Sequence, residues 1–126
     1  MHRVLVAEDD LPIAEMYRFK LEKSGYKVEC AHNGEDSLLL AEKFSPHLIL
    51  LDLKMPLMSG EEVLRRIRQE AWGCNIRVIV LTNISRSEAP SSLNFLKVDR
   101  YVVKAHYTPQ QVVDMVASLL EQVPAL

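Results

Sequence analysis

The sequence predicts an α/β fold: a doubly wound, five-stranded parallel sheet in the order 2-1-3-4-5, flanked by five helices. Short apolar runs alternate along the 126 residues with longer segments that carry apolar side chains at helical spacing. The runs at 3–7, 47–51 and 77–81 are almost wholly apolar, as in strands buried on both faces. The run at 26–31 alternates and the run at 100–103 is short, so we expect both at sheet edges. Right-handed crossovers then favour this strand order.

The bulk composition predicts one domain over residues 1–126. The chain is 48% hydrophobic and 25% charged, as in ordinary globular domains, and its net charge of -2 gives no electrostatic reason to expect nucleic acid or membrane as partner. Cys30 and Cys74 have no metal-ligand spacing, which predicts two reduced thiols. The absence of a signal sequence and of a long apolar run predicts a cytoplasmic protein.

The first half of the chain supplies two strand–helix units and a third strand. The strand at 3–7 ends in three acids, and Asp9 or Asp10 is placed to cap a helix with Pro12 in its first turn. That helix has an apolar stripe and stops at a Ser-Gly pair; the stripe comprises Ile13, Met16, Tyr17 and Leu21. A second strand at 26–31 and a helix at 35–44 follow. Pro46 ends this helix, and a third strand follows at 47–51 and leads directly to Asp52.

The second half repeats the pattern less regularly. A helix at 61–70 precedes the strand at 77–81, and the segment 84–98 is predicted to be a fourth helix with an irregular start, because Pro90 falls early in it. The strand at 100–103 ends at Lys104. A last helix opens at Thr108, and its inner face comprises Val112, Val113, Val116, Leu119 and Leu120.

Polar residues stand at the carboxyl ends of four predicted strands: Glu8, Asp9, Asp52, Thr82 and Lys104. In a parallel sheet these ends share one edge, so the five side chains are expected in one crevice. Taken singly, the acids after the first strand are more often a helix cap, the lysine a solvated surface residue and the threonine a cap, whereas Asp52 at the end of an apolar strand already favours a functional role. Together they predict a Mg²⁺ site beside a lysine and a hydroxyl suited to phosphoryl oxygens, with Asp52 as nucleophile.

With these residues the chain resembles, over essentially its whole length, the receiver domain of two-component response regulators, the CheY-like family. The resemblance is carried by VLVAEDD at 4–10, LLDLKMP at 50–56 with Gly60, VLT at 80–82 and YVVK at 101–104. It implies a flavodoxin-like fold and a phosphoacceptor switch in a phosphorelay, which promotes only its own aspartyl phosphorylation and dephosphorylation and is not otherwise an enzyme.

The resemblance also implies roles for single residues. Asp52 would accept the phosphoryl group from the phosphohistidine of a histidine kinase or a histidine phosphotransfer protein. Mg²⁺ would be held by Glu8, Asp9, Asp52 and the backbone carbonyl of Lys54, and Lys104 would pair with the phosphoryl oxygens.

On activation, Thr82 would move towards the phosphoryl group and Tyr101 would turn inwards. The surface of the fourth helix, fifth strand and fifth helix would then change and bind a downstream protein target. Direct contact with nucleic acid or membrane is not expected, and the chain would be a monomer or weak dimer.

Three departures from the family pattern stand near the site. Ala105 replaces the usual proline after the lysine, which predicts either a trans Lys104–Ala105 bond with a shifted loop or retained strain. Asn83 stands where a small residue is usual, which predicts narrower access. Lys97 and Val98 replace the usual Gly-Ala, which predicts a reshaped turn into the fifth strand.

Two other functions share this fold class. A haloacid dehalogenase-like phosphatase would use an aspartyl nucleophile, but it usually has a second acid where Lys54 stands. A flavodoxin-like flavin module would need a phosphate-binding loop after the first strand, where this chain has three acids. We also expect a stand-alone regulator and not a receiver excised from a longer protein, since Met1 leads directly into the first strand.

Overall fold

Five short strands and four α-helices alternate along residues 1–124, the part of the chain that the structure, a computed structural model, describes. The strands are β1 Arg3–Ala7, β2 Lys27–Ala31, β3 Leu48–Leu51, β4 Arg77–Thr82 and β5 Arg100–Val103. The helices are α1 Leu11–Lys23, α2 Gly34–Phe44, α3 Gly60–Arg68 and α4 Pro109–Leu120. Single 3₁₀ turns lie at Ala71–Gly73, Arg86–Glu88, Ser91–Phe95 and Lys104–His106.

The strands form one parallel sheet in the order β2-β1-β3-β4-β5, which confirms the predicted topology. The last residues of β1 and β3, Ala7 and Leu51, are paired, and Thr82 at the end of β4 pairs with Val103. The strands therefore end at nearly the same height. The residues that follow them are brought to one edge of the sheet, as the sequence predicts.

Two hydrophobic cores hold the helices to the sheet, one on each face. On the first face α1 and α4 pack against the sheet, with Leu21 and Val116 fully buried. On the second face α2, α3 and the chain after β4 pack, with Leu64 and Ile67 fully buried. Burial of one such aliphatic side chain contributes about 1.5–3 kcal/mol, so the sheet is a rigid support for the residues at its edge.

Side chains cap the first turn of every α-helix in the described part of the chain. Asp10 Oδ1 accepts from the Ile13 N–H of α1 at 3.1 Å, as predicted, and Asn33 and Ser59 cap α2 and α3 in the same way. Thr108 and Gln111 form a reciprocal capping box at the start of α4.

The predicted fourth helix is wrong. Within the described residues, the segment 84–98 contains two 3₁₀ turns and no α-helix, so α4 here is the predicted fifth helix. Pro90 lacks the N–H that a continuing helix requires, and the polar residues after it have low helix propensity. The apolar residues of this segment do not share one buried face, since Leu93 is buried whereas Phe95 is 85% exposed.

The end of this segment is held by Arg68 of α3. Its guanidinium donates to the carbonyls of Leu96 and Lys97, both at 2.8 Å, and to those of Gly73 and Ile76 at 2.9 and 2.8 Å. Lys97, where the family usually has glycine, adopts a left-handed φ of 55°, and the predicted reshaping of the turn into β5 remains a prediction. A second contact holds the middle of the segment, where the Ser92 hydroxyl donates a hydrogen bond to Glu61 in the first turn of α3.

At the amino ends of the strands, residues from both ends of the chain meet. His2 Nε2 lies 2.6 Å from the carbonyl oxygen of Val123, and the His2 and His47 rings stand edge to face at 5.1 Å. His47 Nδ1 accepts the main-chain N–H of Arg3 at 2.9 Å. Among the described helices, none is both long and apolar enough to cross a membrane.

Candidate functional site

The carboxyl edge of the sheet contains a cleft of about 330 Å³ in which all five residues predicted from the strand ends meet. The lining comprises Glu8, Asp9, Asp10, Ile13, Asp52, Lys54, Thr82, Asn83, Ile84 and Lys104. Among the residues that the structure describes, four charged or polar side chains are buried. Three of them line this cleft, namely Glu8, Asp52 and Thr82, and the fourth is Ser37. Burial of polar groups has a cost unless they are paired, which makes this edge of the sheet the candidate functional site.

Asp52 is mounted rigidly at the end of β3. Its N–H continues the sheet by donating to the Ala7 carbonyl at 3.0 Å, and its Oδ1 accepts the Lys54 N–H at 3.2 Å. Gly60, at the start of α3, packs so tightly that a Cβ there would lie 2.1 Å from the Asp52 carbonyl oxygen. The backbone on either side of the carboxylate is therefore fixed by close contact.

Lys104 joins the two buried carboxylates. Its Nζ lies 2.9 Å from Asp52 Oδ2 and 2.6 Å from Glu8 Oε1. Burial by itself lowers the pKa of Lys104, but the hydrogen bonds and negative charges of Glu8 and Asp52 outweigh it and raise that pKa above its ordinary value. The Lys104–Ala105 peptide bond is trans, since no cis bond occurs in residues 1–124, and the lysine still reaches its partners.

Glu8 is buried beside these charges. Burial, and then the charge of Asp52, raises the pKa of Glu8, against the opposing influence of Lys104 and of the Asp10 N–H. That N–H donates to Glu8 Oε2 at 3.2 Å. Among the described residues, the partner of Glu8 Oε1 is the Lys104 ammonium, at 2.6 Å.

Oxygen atoms of Glu8, Asp9 and Asp52 lie within 4.8 Å of one another, which fits a hard divalent cation. Three carboxylates in this space repel one another, and Lys104 supplies only one positive charge between the two buried ones, so a bound cation would reduce the remaining repulsion. Asp9 is exposed, so a cation has a route from solvent. Lys54 lines the same cleft, and the role predicted for its carbonyl remains a prediction.

Thr82 and Tyr101 are connected through the loop that follows β4. The buried Thr82 Oγ1 accepts the Ile84 N–H at 3.4 Å, and the Tyr101 hydroxyl donates to the Ile84 carbonyl at 2.7 Å. The Arg86 guanidinium stands over the Tyr101 ring at 5.5 Å, and burial raises the pKa of the tyrosine. Tyr101 does not line the cleft; it contacts the loop that does.

Asp10 contributes to the cleft in a way that the sequence did not reveal. It was interpreted as a helix cap, which it is, but its N–H also binds Glu8. The sequence also gives no sign that the Ile84 backbone links Thr82 to Tyr101. Both contributions come from main-chain atoms, whose positions depend on loop conformation. The only sequence signal for them is closeness to the strand ends.

Comparison with known proteins gives consistent results. The family model described as the response regulator receiver domain matches residues 4–117. Of the solved structures, the receiver domain of the Francisella response regulator 1452 has a TM-score of 0.87 at 26% identity, over 98% of this chain and 100% of that one. The response regulator TrrA from Thermotoga maritima, in complex with Mg²⁺-BeF, has a TM-score of 0.81 at 34% identity, over 95% and 100%.

Proposed function

The chain belongs to the receiver domains of two-component response regulators, and on that premise we propose that Asp52 is its phosphoacceptor. One observation supports this assignment above the others. The Lys104 ammonium contacts a buried carboxylate at 2.9 Å, at the end of a rigid central strand and in a cleft that also contains a set of metal-ligating acids.

In the proposed reaction a carboxylate oxygen of Asp52 attacks the phosphorus atom of a phosphohistidine. A P–O bond forms and the P–N bond breaks; the electron pair of that bond stays on the imidazole nitrogen of the donor. Lys104 is placed to follow the negative charge from the carboxylate to the phosphoryl oxygens, because it already contacts Asp52 Oδ2. Thr82 offers a hydroxyl in the same cleft.

We propose that Glu8, Asp9 and Asp52, with the Lys54 carbonyl, hold Mg²⁺. When bound, the ion would neutralise carboxylate charge and the charge on the phosphoryl oxygens. The two buried acids have distinct positions before it binds. Glu8 is oriented by the Asp10 N–H and Asp52 by the Lys54 N–H, so little rearrangement of these side chains is required.

We propose that phosphorylation changes the conformation of Thr82 first and that the loop at 83–85 transmits this change to Tyr101. A phosphoryl group that attracts the Thr82 hydroxyl would compete with the Ile84 N–H for it, and the loop at 83–85 would move. Tyr101 would then lose or exchange its carbonyl acceptors at Ile84 and Ser85 and turn inwards. The surface that changes comprises the segment 84–98, β5 and α4, in place of the one predicted around a fourth helix.

The partners follow from this chemistry. The proposed donor is a histidine kinase or histidine phosphotransfer protein, and the proposed target is a protein that binds the 84–98, β5 and α4 surface. We propose a single cytoplasmic receiver domain over 1–126, monomeric or weakly dimeric, which is a switch and not an enzyme of metabolism. The family match does not favour the phosphatase or the flavin module.

The test is phosphorylation by acetyl phosphate in the presence of Mg²⁺, followed by intact-protein mass spectrometry. The parent chain should gain the mass of one phosphoryl group and lose it on acid or base treatment, as an acyl phosphate does. Asp52→Asn should not be labelled, whereas the control Asp36→Asn, on the exposed first turn of α2, should be labelled as the parent is. Equal labelling of Asp52→Asn would refute the assignment.

A further inference from the structure

The loop between β3 and α3 contains a bulky residue in a strained backbone conformation. Leu57 has a φ of 70°, in the left-handed region that bulky residues rarely occupy. The Met58 N–H donates to the Pro56 carbonyl at 2.8 Å, so Leu57 is the central residue of a three-residue γ-turn with a positive φ. Turns of this kind are rare and strained.

The surroundings force this turn on Leu57. On one side the Gly34 N–H donates to the Pro56 carbonyl at 3.1 Å, and a Cβ at Gly34 would lie 1.9 Å from the Met58 carbonyl oxygen. On the other side the Gly60 N–H donates to the Leu53 carbonyl at 2.8 Å. Both ends of the loop are fixed by close backbone contact. Strain that persists because its surroundings determine it is common at functional sites.

The side chain gains nothing from this conformation within the chain. Leu57 is 72% exposed, so an apolar side chain stands in water at the apex of a strained turn. Asparagine or glycine would adopt the same φ at lower cost and would expose less apolar surface. Leucine at position 57 therefore destabilises the fold through its strained backbone and through its exposed apolar surface.

Leu57 lies at the edge of the sheet where the cleft opens. It is on the loop that connects Asp52 to α3; the exposed Leu11 begins α1, directly after the β1–α1 loop, and the exposed Tyr107 is on the loop that follows β5. In a parallel sheet these loops are all at the carboxyl edge. The exposed side chains of Leu11, Leu57 and Tyr107 thus form an apolar border on the same edge of the sheet as the charged cleft. A protein that brings a phosphohistidine to the recessed Asp52 must cover this border.

We infer that Leu57 is a specificity-determining contact for the protein phosphodonor, presented by the strained turn to an apolar patch around the donor's phosphohistidine. The inference rests on the proposed function and names a residue of its docking surface. A small phosphodonor enters the cleft without covering the border. Leu57 should therefore affect transfer from a protein and leave transfer from a small molecule unchanged.

The experiment compares two donors on one set of variants. The donors are acetyl phosphate and, from a panel of phosphorylated histidine phosphotransfer domains, the one that labels the parent fastest. Leu57→Asn should lower the second-order rate constant for the protein donor about tenfold, the effect of losing one buried leucine contact, and change labelling by acetyl phosphate less than twofold. Leu57→Met, which keeps the apolar surface, should retain most of the protein-donor rate.

Stability and a matched control complete the design. Leu57→Asn should raise the melting temperature by about 2–4 °C, because the left-handed strain is relieved. Leu39→Gln, at a leucine of α2 that is 65% exposed, should leave both rates unchanged. An unchanged protein-donor rate, an equal loss with both donors, or a large fall in melting temperature for Leu57→Asn would each overturn the inference. If neither donor labels the parent, the proposed function itself fails.

Discussion

Replacement of Lys104 by methionine should destabilise the folded chain by about 3 kcal/mol at neutral pH. The ammonium lies 2.6 Å from Glu8 Oε1 and 2.9 Å from Asp52 Oδ2. At an effective dielectric constant of about 20, each contact corresponds to roughly 6 kcal/mol of attraction. Burial of the ammonium offsets most of this, and loss of one partner from a buried ion pair typically costs about 3–5 kcal/mol. We take the lower end because the cleft is open to solvent.

The pH dependence of this loss has a definite sign. Burial and the charge of Asp52 already raise the pKa of Glu8 above 4.5, and Lys104 opposes that rise, so the variant should have a still higher pKa at Glu8. A carboxyl whose pKa is raised on folding stabilises the protein below its unfolded pKa, and this stabilisation is lost as pH rises through the folded pKa. The deficit of Lys104→Met should be full at pH 8 and shrink as pH falls towards 5.

The assay is urea unfolding of the parent and the variant at pH 5, 6, 7 and 8. The double variant Lys104→Met, Glu8→Gln is the control, because it removes one of the two uncompensated charges and should recover most of the stability. A deficit that is independent of pH, or a double variant no more stable than the single one, would refute the charge-pair account of this cleft.

Three further predictions concern the support of the site. Arg68→Met leaves four carbonyls without their donor, so it should lower the free energy of unfolding in urea by about 2–4 kcal/mol and speed hydrogen exchange at 91–98. The control Arg66→Met, on the exposed face of α3, should lower it by less than about 0.5 kcal/mol. Equal losses would contradict the role of Arg68. Lys97→Gly should raise the free energy of unfolding by about 0.5–1 kcal/mol, since φ is 55° there, and a loss would show that the lysine side chain matters more than its backbone. Burial lowers the pKa of His47 below 6.5, and the charges of Arg3, His2 and the amino terminus lower it further. The stability of the fold should therefore fall as pH drops below 6.5, and His47→Asn should reduce this fall in thermal unfolding. An unchanged pH profile in the variant would exclude His47 as the source.

The sequence predicted the sheet and the cleft well, because both follow from repeating local patterns and one rule of topology. Apolar runs identified the strands, and parallel pairing brought Glu8, Asp9, Asp52, Thr82 and Lys104 to one edge. No long-range contact had to be guessed.

The segment 84–98 could not be predicted in the same way. Its apolar residues have nearly helical spacing, but Pro90 interrupts the backbone bonds and the segment is held by Arg68 and Glu61, which are distant in sequence. The γ-turn at Leu57 was missed for a related reason. Its positive φ is imposed by contacts with Gly34 and Gly60, and leucine gives no local sign of it.

The contact between His2 and Val123 has a practical consequence for engineering. Because residues from the two ends of the chain touch at the edge opposite the cleft, a short glycine-serine linker could join them and new termini could be opened elsewhere. The turn at Cys74 and Asn75, between α3 and β4, is a suitable opening, since it lies outside every strand and α-helix. Such a circular permutant would keep every residue of the cleft in place, and a fluorescent reporter inserted at the new ends would stand away from the phosphodonor.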